Sequence, residues 1–124
     1  MKKIILIVDD EKVWVKVTKE LIISKSGDKY SVKTAFNGKE ALEIMEDYDI
    51  DLMILDMNMP IMDGYQLLKE LKKRGIKIPT IVLTGNWGMK SELYIGAFGI
   101  KKFVEKPINI DSLLKTIDEI IGNS

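Results

Sequence analysis

Asp9 and Asp10 follow the apolar run Ile4–Val8, Asp56 follows Leu52–Leu55, Thr84 follows Thr80–Leu83, and Lys106 comes shortly after Phe103-Val104. If these side chains share one pocket, their electrostatics dictate what else must be there. A carboxylate beside a buried strand is costly unless something positive accompanies it. Two carboxylates ~4 Å apart repel by about 4 kcal/mol at an effective dielectric of about 20, and a third adds to that. Lys106 alone is too little positive charge, so a cation is expected. All-oxygen ligation favours a hard, octahedral ion that keeps several waters, magnesium or alternatively manganese. A metal, an ammonium and a hydroxyl around a carboxylate are the parts that phosphoryl transfer needs, with the carboxylate as nucleophile. Thr84 could then donate to a phosphoryl oxygen and draw the loop behind it toward the site. The chain has no cysteine and no histidine. Disulfides, thiolate catalysis, zinc-thiolate sites and imidazole bases are therefore excluded.

The elements that must position these residues can be read from periodicity. Leu52–Asp56 is a continuous apolar run ended by an acid and closed by Pro60, which predicts a strand buried on both faces. Ile4–Val8 reads the same way. Lys12–Ser26 predicts a helix stopped by Gly27, and Tyr30–Ala35 a shorter strand at a sheet edge. Asn37-Gly38 is a turn signal before a helix over Lys39–Asp47. A loop over Met57–Asp63 precedes a helix over Tyr65–Arg74, closed by Gly75. After Pro79 come the strand Thr80–Leu83, a helix over Lys90–Phe98, a brief strand at Phe103-Val104, and an amphipathic helix over Asp111–Ile121 with Asn109 or Asp111 as N-cap. Strands alternating with helices imply a mostly parallel sheet covered on both faces. Right-handed crossovers with one reversal of winding would bring the ends of the first, third, fourth and fifth strands together.

Composition narrows the class further. With 124 residues, 46% hydrophobic and 31% charged, the chain has the proportions of one soluble domain. Lys+Arg and Asp+Glu both number 19, which gives no argument for direct nucleic-acid or membrane binding. No apolar stretch approaches a membrane span. The opening Met-Lys-Lys-Ile-Ile-Leu-Ile-Val is interrupted by Asp9-Asp10-Glu11 before any cleavage site and reads as a strand, not a signal peptide.

Asp9-Asp10, Asp56 with Met59-Pro60-x-Met62-Asp63-Gly64, Thr84-Gly85 and Lys106-Pro107 together resemble the receiver domain of two-component response regulators. The resemblance covers essentially the whole chain in order, and the expectation is a single receiver domain over 1–124 with no output domain in this chain. It implies an α/β, flavodoxin-like, doubly wound (βα)5 sandwich of three layers, with a parallel sheet of order 2-1-3-4-5. It implies a signalling switch, not an enzyme, in which Asp56 takes a phosphoryl group from a sensor histidine kinase or a histidine phosphotransfer protein. Asp10 would bind magnesium directly, Asp9 mostly through water, and Asn58 through its backbone carbonyl. Thr84 and Phe103 would be the switch pair, Asn58 and Asn86 the positions that modulate dephosphorylation, and Lys106-Pro107 a cis peptide. The expected setting is the cytoplasm, as a monomer whose dimerisation on phosphorylation stays open, with an unidentified downstream target. Two features depart from the family pattern. Phe103 stands where tyrosine is common, and Gly99-Ile100-Lys101-Lys102 makes the approach to the fifth strand basic.

Plainer readings compete at several positions. Val15, Thr18 and Ile22 form one stripe of the first helix, and Trp14, Val17 and Leu21 another. Together they are wider than one buried face needs. Either part of that helix, Trp14 included, is a docking patch for the kinase, with Lys101 and Lys102 as further partner contacts, or both stripes are buried. Trp87 either senses phosphorylation or lids the core, and Phe103 is a core aromatic before it is a switch. Gly85–Ser91 lacks the spacing of a phosphate-binding P-loop. A phosphatase of the haloacid-dehalogenase type would want a general acid two residues after Asp56, where Asn58 stands. A flavodoxin-like domain holding a phosphorylated cofactor would set that phosphate against an acidic cup.

Overall fold

The computed structural model describes residues 2–84 and 98–122. The elements run β1 (Lys3–Val8), α1 (Lys12–Lys25), β2 (Tyr30–Ala35), α2 (Gly38–Asp47), β3 (Leu52–Asp56), α3 (Gly64–Lys73), β4 (Thr80–Thr84), β5 (Ile100–Glu105) and α4 (Ile110–Ile121). The expected helix over Lys90–Phe98, apart from Phe98, lies outside the described residues, as do Asn86, Trp87 and the side chain of Thr84.

All strand pairs are parallel and the order is β2-β1-β3-β4-β5, so the winding reverses between β1 and β3. Alternation along each strand divides the core in two. Ile5, Ile7, Ile54, Ile81 and Leu83 face α1 and α4, where Val15, Ile22, Leu113 and Ile117 meet them. Leu6, Val8, Met53, Leu55 and Val82 face α2 and α3, where Ala41, Leu67 and Leu68 meet them. A strand that feeds both cores has no polar face, which is why β1 and β3 read as unbroken apolar runs.

The helix boundaries have local causes. Asn37 is the N-cap of α2, its Oδ1 accepting from Glu40 N at 2.9 Å, while Glu40 Oε1 accepts from Phe36 N at 2.8 Å. The expected turn at Asn37-Gly38 is therefore a helix start. Asp63 and Gln66 form a reciprocal capping box on α3. Asn109, not Asp111, caps α4. Gly27 adopts φ +64 just past α1, a conformation glycine enters without penalty. β5 is longer than the expected Phe103-Val104 pair. Its pairing with β4 shifts register at Thr80/Ile81, so Lys101 and Lys102 stand exposed in succession and the apolar alternation that marks a strand is broken.

On α1, Val15, Thr18 and Ile22 are the buried stripe. Trp14 packs partly against the α1–α4 core, whereas Val13 and Val17 are 79% and 48% exposed. The apolar surface of this helix does exceed what the core covers.

Candidate functional site

The reversal of winding opens a crevice at the carboxyl ends of β1 and β3, the place where open α/β sheets hold ligands. Asp9 is carried there by β1, whose ladder continues one step through Asp9 N donating to Ala35 O at 3.0 Å. Asp56 is the last residue of β3. Both are buried, at 0% and 5% exposure, while Asp10 beside them is exposed. One carboxylate oxygen from each of Asp9, Asp10 and Asp56 lies within 4.8 Å of the others.

Lys106 reaches the same crevice from beyond β5, followed by a cis peptide to Pro107 as expected. Its Nζ is 3.3 Å from Asp9 Oδ2, 3.7 Å from Asp56 Oδ2 and 3.0 Å from Glu11 Oε1, and it lies 5.8 Å from the centre of the Trp14 ring. Asp9 Oδ1 accepts from Glu11 N at 2.9 Å, and Asp56 Oδ1 accepts from Asn58 N at 3.3 Å. Glu11 was not singled out by its sequence context. The Asp9-Asp10-Glu11 run contains the signal, but only the fold shows that the third acid turns back to the lysine.

Crowding sets the protonation equilibria. Burial first, then the charge of Asp9, pushes the Asp56 carboxyl up to about 6, and Asp10 adds to this. Lys106 and the Asn58 N–H pull the other way. Burial alone would lower the Lys106 ammonium, but the Glu11 hydrogen bond and the charges of Asp56 and Asp9 together hold it above its ordinary value. Neighbouring negative charge raises both groups, while burial reinforces the rise for Asp56 and opposes it for Lys106. A hard divalent cation fits this donor set. The ligands are all carboxylate oxygen, and Asp10 has no hydrogen-bond or ion-pair partner among the described residues. Asp9 already uses both oxygens on protein donors, which suits a contact through water.

The other expected site residues fall in different places. Asn58 is exposed in the loop after β3. Thr84 ends β4, its backbone paired with Glu105. Phe103 lies mid-strand opposite Val82, half-buried in the α2–α3 core. Lys101 and Lys102 are exposed at the start of β5, on the level of Thr80 and Ile81, and the fold does not bring them to the crevice.

Comparison with known proteins follows the same geometry. The response regulator receiver domain family matches residues 5–118. The cell cycle response regulator CtrA of Brucella ovis is 30% identical over 122 residues, 98% of this chain and 51% of that protein, so the chain spans about half the length of the curated relatives it matches. A CheY-like receiver domain protein from Methanospirillum hungatei superposes with a TM-score of 0.80 at 31% identity, covering 96% of this chain and 93% of that one. The receiver domain of a sensor histidine kinase from Pseudomonas aeruginosa has a TM-score of 0.80 at 26% identity, covering 99% and 100%. In that structure a magnesium ion is coordinated in the active site cleft. Family match, sheet order and the acidic crevice agree: this chain belongs to the response regulator receiver domain family and carries the receiver domain of a two-component response regulator.

Proposed function

We propose that Asp56 is the phosphoryl acceptor of this receiver, and that residues 1–124 work as one phospho-accepting switch in the cytoplasm. The donor is a phosphohistidine on a sensor histidine kinase or a phosphotransfer protein. An Asp56 carboxylate oxygen attacks phosphorus, the P–N bond breaks, and its electron pair leaves on the imidazole nitrogen, giving an aspartyl phosphate. Asp9, Asp10, Asp56 and the Asn58 carbonyl would hold magnesium, with manganese as a substitute. Bound there, the ion supplies charge neutralisation on the phosphoryl oxygens. Lys106 brings its ammonium to a non-bridging oxygen, and Glu11 and Asp9 orient it. The raised carboxyl of Asp56 is still ionised at neutral pH, so it attacks without a separate base.

The new phosphoryl group carries nearly two negative charges. Thr84 donates to one of its oxygens, and the Phe103 ring repacks as the loop behind β4 moves. A two-state equilibrium thereby shifts on the face that includes β5 and α4. Asn58 and Asn86 flank the aspartyl phosphate and modulate its hydrolysis. Trp14, beside the exposed Val13 and Val17, docks the kinase, and Lys101 and Lys102 contact a partner on β5.

The observation that carries this reading is the lysine ammonium held 3.7 Å from an aspartate that two further carboxylates crowd. Intact-mass spectrometry after incubation with magnesium and a small acyl-phosphate donor tests it. One phosphoryl group should appear, and none in Asp56→Asn or in the presence of chelator. Incorporation that persists in Asp56→Asn would refute the assignment.

A further inference from the structure

At the opposite end of the sheet, where β4 begins, the molecule carries a second built surface. The loop between α3 and β4 helps to line a groove of about 210 Å³, together with Leu68, Leu71 and Phe98. Lys72 and Lys77 line its sides. The Lys72 Nζ is held 5.5 Å from the centre of the Phe98 ring. The Lys77 stem passes Gly99 closely enough that a Cβ there would sit 3.6 Å from its Cγ. A neighbouring groove of about 250 Å³ shares Ile76, Lys77 and Ile78 and reaches Tyr48 and Ile50. The partly exposed Ile76 side chain therefore lines both hollows, of which the first is mainly apolar and the second mixed.

The charge around the first groove is one-sided. Although the chain is neutral overall, Lys72 and Lys77 line this groove and Lys73 and Arg74 stand beside Lys72 at the end of α3. Among them only Arg74 has a carboxylate, Glu70 at 2.7 Å. The remaining lysines have none within 4.0 Å among the described residues. The far hollow carries Asp49 as well as Lys77, whereas the charged residues lining the first are both lysines, Lys72 and Lys77.

We infer that this double groove is a docking site for an acidic protein segment that seats a large apolar side chain, leucine or phenylalanine, between Lys72 and Lys77. Each hollow is smaller than the roughly 300–1,000 Å³ of small-molecule sites and has the size of one large side chain, the usual anchor of a peptide contact. Two adjoining hollows that share Ile76–Ile78 suit residues spaced along a chain. Lysines at the rim with no carboxylate within 4.0 Å among the described residues select acidic flanks through complementarity of potential. From Ile78 to the strand position beside Asp56 the sheet extends on the order of 16 Å. The segment and the phosphoryl group can therefore be held at once.

Amide chemical-shift mapping of the full chain tests this. The probe is a short acetylated peptide of acidic residues carrying one leucine and one phenylalanine. Its amide analogue, with Asn and Gln for the acids, and its alanine analogue are the controls. Saturable shifts should appear in residues 68–78 and 98–101, and both analogues should bind at least about tenfold more weakly. Lys72→Glu/Lys77→Glu should lose a similar factor, and the milder Lys72→Gln/Lys77→Gln several-fold. Phosphorylation by the acyl-phosphate donor should be unchanged in both variants, which separates this site from the one at Asp56. Equal binding of the amide analogue, shifts confined to other residues, or binding of anionic vesicles or duplex DNA without binding of the peptide would each overturn the proposal.

Discussion

The two ends of this sheet handle charge in opposite ways. At the carboxyl end the Lys106 ammonium lies within 3.7 Å of both Asp9 and Asp56 across three strand ends, and both aspartates are buried. At the amino end of β4, Lys72 and Lys77 project into solvent beside an apolar groove with no acid in reach among the described residues. Buried charges set each other's protonation, are screened little by salt, and change their energetics when one charge is added. Solvated charges act on whatever approaches, in a salt-dependent way. The first arrangement suits a switch, the second a landing surface.

The contrast can be broken at its strongest point by Lys106→Ala. Loss of one positioned charge donor should cut the rate of phosphoryl incorporation by about 10²–10³. The fold should survive, as near- and far-ultraviolet circular dichroism can check. A loss below about threefold would mean that Lys106 is only a strand-end cation.

Protonation gives the next effect. With the Asp56 carboxyl raised from 3.8 to about 6 in the fold, the native state binds the extra proton between those values. The group's favourable contribution is complete below pH ~4 and is lost as pH rises through about 6. In metal-free buffer, urea unfolding should show on the order of 1–3 kcal/mol less stability from this source at pH 7.5 than at pH 4. Asp56→Asn should remove that part of the slope and be more stable than wild type at pH 7.5 without metal. Magnesium should narrow the difference. An unchanged slope in Asp56→Asn would show that the crowding is relieved in solution.

Glycines sharpen the same comparison. A Cβ at Gly64 would lie 2.8 Å from the Asp56 carbonyl oxygen and from Met57 Cα, so backbone must move beside the acceptor. Gly64→Ala should cost about 1–3 kcal/mol. At Gly75, by the groove, nothing lies within 4 Å of such a Cβ and only φ +73 opposes it, so Gly75→Ala should cost about 1 kcal/mol. Equal costs in chemical denaturation would deny that the two ends differ in packing. Smallest of all, Glu11→Gln removes one of the lysine's partners and should slow incorporation about two- to fivefold, because Glu11 is itself exposed and screened.

Much of this molecule can be read from the chain without coordinates, and the reasons are physical. β1 and β3 declare themselves because a strand buried on both faces leaves a continuous apolar run, and the acids that end them are then placed by topology alone. Asp9, Asp10, Asp56 and Lys106 could be grouped on that basis. Glu11 could not, since its return to Lys106 depends on a side-chain direction at the start of α1 that spacing does not encode. Asn37 looked like a turn because asparagine-glycine serves turns and caps alike, and only the Glu40 N–H at 2.9 Å decides between them. β5 was read too short because its register shift interrupts the alternation that marks a strand. The double groove was invisible for a further reason. Leu71, Ile78, Phe98 and Tyr48 belong to four different segments, and nothing local to any of them signals a hollow.

Locating the phosphoryl group by residue decides whether Asp56 is the acceptor. After reaction with the acyl-phosphate donor, hydride reduction of the acyl phosphate followed by peptide mapping marks the carboxylate that carried it. A single mark is expected, at Asp56, appearing only with a divalent cation and nearly abolished in Lys106→Ala. A mark on Asp9 or Asp10, or one formed equally well in chelator, would contradict it.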